Sequence, residues 1–190
     1  MVKVNRIAEK IARLRHRMKF KSESVNFTRC FIDYADCLVL MPADMSALVE
    51  AASRLPQIAE IFPNRLIKIM LTSNIDPRAH EFIKKFTLIK PYSSDISTFG
   101  LPRESFIDKL KSKSLSVCID LDFTYNFFNS SVCALAQAPV RIGRAKGLGL
   151  PYYNLEISVG GDDIPIKKAY DAFILALHNL KKQGMSIASA

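Results

Sequence analysis

Short apolar runs alternate with stretches of helical period along most of this chain. The clearest example covers residues 115–143. Residues 115–121 (LSVCIDL) are apolar on both faces, as a strand buried between two layers must be. A turn and then a helix of small and apolar residues, expected at 125–137, follow it. A second short strand then runs into Arg141-Ile142-Gly143. Further strands are expected at 36–41, 65–71, 86–90 and 154–159. Helices are expected at 45–60, 76–85, 103–112 and 165–183, with Asp44 as the N-cap of the first. Asp76 followed by Pro77 opens the second, since a proline at the first helical position loses no hydrogen bond. Residues 91–100 read as a loop. Repeated strand–helix alternation predicts an α/β fold, a single doubly wound, Rossmann-like parallel sheet.

Ahead of the first strand the pattern changes. Val4, Ile7, Ala8, Ile11, Leu14 and Met18 recur at three- and four-residue steps across 3–19, with Arg6, Lys10, Arg13 and Arg17 on another side. Residues 1–35 are therefore expected to be a basic amphipathic helix and connector, and residues 36–190 the Rossmann-like domain. Charge sharpens this division. Of a net +9, residues 1–30 hold +7, from nine Lys or Arg against Glu9 and Glu23, which leaves only +2 for the remainder. Such a helix suits an anionic membrane surface, packing on the domain, or a partner helix. Nucleic acid is not expected, because aromatic stacking clusters and recognised motifs are missing.

Composition excludes several classes. Hydrophobic residues at 49% and charged residues at 24% describe a globular chain. No apolar run reaches the roughly 18 residues needed to span a bilayer, and the charged N-terminus does not read as a secretory signal. A cytoplasmic protein, peripheral to the inner membrane at most, is expected. Cys30, Cys37, Cys118 and Cys133 lack metal-ligand spacing and are expected as buried thiols, with no metal site. No nucleotide cofactor is expected either. The loop after the first strand, Met41-Pro42-Ala43-Asp44-Met45-Ser46, has no glycine to let a pyrophosphate approach backbone amides, and no Gly-x-Gly-x-x-Gly or P-loop occurs elsewhere.

Candidate chemistry gathers at the carboxyl ends of the strands, where open α/β sheets place their ligand crevice. Asp120 and Asp122 close the strand at 115–121. Arg141, Gly143, Arg144 and Lys146 form a basic segment without an acidic residue until Glu156. The run Ile119-Asp120-Leu121, the serines at 130 and 131, Ala134-Leu135-Ala136 and Ala138-Pro139-Val140-Arg141-Ile142-Gly143 resembles the bacterial ADP-heptose:lipopolysaccharide heptosyltransferases, glycosyltransferases of the GT-B fold. A weaker match precedes it, in Cys37–Met41 and Ile61-Phe62-Pro63. The resemblance implies the N-terminal, acceptor-holding half of such an enzyme, with a role in lipopolysaccharide or other cell-envelope glycan assembly. The donor-binding half would follow the closing helix, where the chain ends. The family's Gly-Asp pair falls on Ser46-Ala47, so the expected base is alanine and Asp44 is the substitute candidate. The implied ligand set is Asp44, Ser46, Asp120, Asp122, Arg141, Gly143, Arg144 and Lys146. The implied partners are a glycolipid or phosphorylated sugar acceptor, and a separate donor-domain protein or a second copy of the chain. Transfer by this chain alone is not expected.

Two other readings stand beside it. Asp120-Leu121-Asp122-Phe123-Thr124 resembles the nucleophile motif of haloacid-dehalogenase-type phosphatases, which implies Mg²⁺-dependent phosphoryl chemistry, with Gly161-Asp162-Asp163 as a later acidic motif. The third is an interaction module without catalysis.

Overall fold

A computed structural model describes residues 5–20, 25, 27, 31, 36–63, 66–72, 75–111, 115–161 and 163–188. Most of the connector expected at 20–35, together with Cys30 and Asp162, lies outside the described residues. The elements in chain order are α1 (Arg6–Lys19), β1 (Asp36–Leu40), α2 (Met45–Ser53), α3 (Leu55–Ile61), β2 (Ile67–Met70), α4 (Pro77–Ile83), β3 (Thr87–Ile89), a 3₁₀ turn (Ser93–Asp95), α5 (Glu104–Leu110), β4 (Leu115–Asp120), α6 (Phe127–Leu135), β5 (Val140–Arg144), β6 (Leu155–Ile157) and α7 (Ile166–Ala188).

The six strands form one parallel sheet in the order β3-β2-β1-β4-β5-β6. This is the doubly wound arrangement that the alternation predicts. Because side chains alternate along a strand, each central strand feeds two apolar layers. Val39, Ile69, Ile119 and Ile142 join α2, α3, α4 and α7 in one layer. Leu38, Leu40, Met70 and Cys118 join α1, α5 and α6 in the other. Full burial of a side chain of this size is worth about 1.5–3 kcal/mol, so the central strands anchor both layers. Cys37, Cys118 and Cys133 are buried, none in a disulfide.

Local chemistry explains the element boundaries. Asp44 and Asp76 cap α2 and α4 as expected, accepting from Ala47 N–H and Arg78 N–H. The single helix expected at 45–60 is two. Pro56 has no N–H to donate and its ring would meet the carbonyl of Ala52. The chain instead turns at Arg54, whose N–H closes onto Ala51 and Ala52, and α3 begins with the proline in its first turn. The helix expected at 125–137 starts two residues later, with Asn126 accepting from Asn129 N–H as its N-cap.

The N-terminal helix docks by the side that its apolar stripe does not occupy. Ala12 is buried against the α5/α6 layer, and His16 stacks on Phe127 and meets Tyr152 edge-on. Arg13 donates to the Tyr125 hydroxyl at 2.6 Å and lies over the Phe127 ring. Glu9 accepts from that same hydroxyl and from Arg13. At its N-terminus, Asn5 N–H donates to the Phe99 carbonyl at 3.0 Å.

Candidate functional site

The strand order reverses between β1 and β4, and the carboxyl ends of these two strands are where a crevice is expected in such a sheet. Here the gap is closed by side chains of the chain itself. Asp122 accepts from Ala43 N–H at 3.3 Å, which ties the β4–α6 loop to the β1–α2 loop. Asn129, from α6, donates to the Met41 carbonyl at 3.2 Å.

Asp120 is the centre of this polar core. As the last residue of β4 it follows the alternation onto the α6 side of the sheet, and it is wholly buried. Its Oδ1 accepts from Asp122 N–H at 2.9 Å and from Asn129 at 3.4 Å. Its Oδ2 accepts from the Tyr153 hydroxyl at 2.5 Å and from Lys146 Nζ at 3.5 Å. Ser130 Oγ lies 2.9 Å from the same tyrosine oxygen and donates to the Asn126 carbonyl. Asp122 is almost as deep, 2% exposed. Its other donors are the Asn126 amide and both the N–H and hydroxyl of Thr124. Lys146 also donates to the Asp122 carbonyl, and its side chain is only 8% exposed.

Burial governs the electrostatics. Desolvation raises the Asp120 carboxyl above its ordinary value. Lys146 opposes that rise, Asp122 adds to it, and the Tyr153 hydrogen bond counters it. Burial first, and then the charge of Asp120, push the Tyr153 hydroxyl well up, so it stays a donor. Asp44, at the exposed rim, is held below the usual carboxylate range by the Ser46 hydroxyl at 2.6 Å and Ala47 N–H at 2.9 Å. A carboxylate stabilised in this way is a weaker base.

The sequence-derived candidates therefore separate. Asp120, Asp122 and Lys146 converge. Asp44 and Ser46 sit across the gap on the rim. Gly143 lines the cluster only by being small: a Cβ there would come within 2.8 Å of the Tyr153 ring. Arg141 is buried elsewhere. Its guanidinium donates to the carbonyls of Pro151 at 3.0 Å and Ala138 at 2.7 Å. Arg144 points to the opposite face of β5, towards the carbonyls of Phe123 and Gly161. The start of α2 is occupied by its own Asp44 carboxylate, which accepts from Ala47 N–H. Asp122 is tolerated in its buried position because Ala43, Thr124 and Asn126 all donate to it.

Tyr153, Asn126, Asn129 and Ser130 are missing from the sequence-derived set. The last three stand at i, i+3 and i+4, a polar stripe on an otherwise apolar helix, which was a readable signal. Tyr153 had none, since the β5–β6 connection carries it to Asp120. Among the described residues no group of three His, Cys, Asp or Glu could hold a metal ion. No described helix is long and apolar enough to cross a membrane.

The chain is similar to the glycosyl transferase family 9 protein from Veillonella parvula DSM 2008, with a TM-score of 0.53 at 13% identity. The match covers 79% of this chain and 42% of that one, so the chain spans less than half the length of that protein. At this identity the likeness is one of fold. No protein-family model and no curated protein matches the sequence.

Proposed function

We propose that this chain is a heptosyltransferase-like acceptor half that holds a phosphorylated sugar or glycolipid acceptor for cell-envelope glycan assembly, lipopolysaccharide included. The observation that carries the reading is the fold likeness to a family 9 glycosyltransferase over under half of that protein's length, a share that fits one lobe of a two-lobed enzyme. The rim between the β1–α2 and β4–α6 loops supports it. Asp44, Ser46 and Thr124 are exposed there and offer hydroxyl and carboxylate groups suited to sugar hydroxyls. The buried cluster beneath positions both loops and takes no direct part in chemistry.

The phosphatase alternative requires Asp120 to attack phosphorus. All four of its donors come from within the chain and it has no exposed surface, so no observation favours that reading.

The test is nuclear magnetic resonance mapping on the 190-residue polypeptide with a phosphorylated disaccharide. Amide shifts should concentrate at residues 41–46 and 122–126. ADP should leave the spectrum unchanged, and this polypeptide assayed alone should not transfer sugar from an ADP-sugar. Micromolar ADP binding, or acceptor shifts confined to the opposite end of the sheet, would overturn the assignment.

A further inference from the structure

We propose that the outward face of α1 docks on an anionic bilayer surface. An amphipathic helix normally turns its apolar stripe to the core, and this one does the reverse. Ile7 is 71% exposed, Ile11 49%, Leu14 62% and Met18 74%, while Ala12, Arg13 and His16 face the α6 layer. The patch continues beyond the helix. Phe99 and Leu150, 57% and 49% exposed, line with Ile7 and Ile11 a groove of about 1330 Å³. Phe99 is held beside the helix start by the hydrogen bond from Asn5, so an aromatic anchor that α1 itself lacks stands next to it.

Charge decides the occupant. Arg6, Lys10, Arg15 and Arg17 are exposed along the helix, and its single acid, Glu9, is engaged by Arg13 and Tyr125. A second copy pressed face to face would bring together eight exposed cations with no acid between them. Nucleic acid would satisfy the cations and leave aliphatic Ile, Leu and Met against its phosphates. Anionic lipid satisfies both, because acyl chains receive the stripe while headgroups meet the arginines.

The surface stands apart from the acceptor reading, whose test uses a soluble sugar and no lipid. The experiment is co-sedimentation of the full chain with vesicles of phosphatidylcholine alone, and of phosphatidylcholine with phosphatidylglycerol in equal parts. Two variants accompany the native chain, Ile11→Gln with Leu14→Gln and Arg15→Gln with Arg17→Gln. All four residues are exposed, so folding should be unaffected, which far-ultraviolet circular dichroism checks. Binding should occur on the mixed vesicles only. The arginine variant should weaken it roughly twenty- to thirtyfold, about fivefold per charge, and the apolar variant at least about tenfold. Equal binding to both vesicle types, or binding indifferent to Ile11 and Leu14, would overturn the proposal. So would a dimer abolished by the apolar variant without vesicle binding, or single-stranded RNA binding that outcompetes lipid.

Discussion

Replacing Lys146 with methionine isolates the electrostatics of the buried cluster. Methionine keeps the stem and removes the ammonium that lies 3.5 Å from Asp120 Oδ2 and donates to the Asp122 carbonyl. Taking one partner from a buried ion pair costs about 3–5 kcal/mol, because the other charge stays buried and uncompensated. The lost charged hydrogen bond to the Asp122 carbonyl, about 1.5–3 kcal/mol by itself, is part of that figure. Asp120 can relieve the rest by taking up a proton, and so the cost depends on pH. Its folded pKa already lies above its ordinary value of 3.8, through burial. Its contribution to stability is complete below that value and is lost as pH rises through the folded pKa. Without the lysine the folded pKa climbs further, so the deficit of Lys146→Met must widen from about pH 5 to about pH 8. In urea unfolding followed by circular dichroism, the midpoint should fall by roughly 1–2 M at the higher pH and by less at the lower. Adding Asp120→Asn removes the orphaned charge and should recover more than half of the loss. A deficit equal at both pH values and undiminished by Asp120→Asn would refute the argument, and would reduce Lys146 to a donor for one carbonyl.

Two further substitutions test the surroundings of the cluster. Arg141→Ala leaves the Pro151 and Ala138 carbonyls without their donor and should cost about 2–4 kcal/mol in urea unfolding, with phosphorylated-sugar binding unchanged in the folded fraction. Gly143→Ala drives a methyl group into the Tyr153 ring and should cost about 1–3 kcal/mol. The cost of Gly143→Ala should be smaller in a Tyr153→Leu background than in the native chain, and an equal cost in both would show that the ring is not what the methyl group meets.

The sheet was legible because its strands are apolar on both faces, and the caps at Asp44 and Asp76 because each carries its own local signal. The break at Pro56 was equally local, but the helical period on either side of it masked the break. The basic segment at 141–146 shows why a charge reading goes astray. Charges adjacent in sequence alternate in space along a strand, so Arg141 and Arg144 leave β5 on opposite faces, and only Lys146, beyond the strand, is free to fold back over Asp120. For α1 the period correctly located the stripe. A period, however, says nothing about which side meets the rest of the chain. That choice was made by Tyr125, Phe127 and Tyr152, more than a hundred residues away.

The same long reach has a consequence during synthesis. The surface that receives α1 is incomplete until Tyr152 has been made, 136 residues after His16. At roughly 5–20 residues per second this is an interval of about 7–30 s. For that time the helix has no berth, and a 14-residue segment of this length is only marginally helical in water. Its isoleucines and arginines are thus presented to the surroundings of the ribosome before the domain is complete. A chain built in this order can meet a surface with α1 first and complete its domain beside it afterwards.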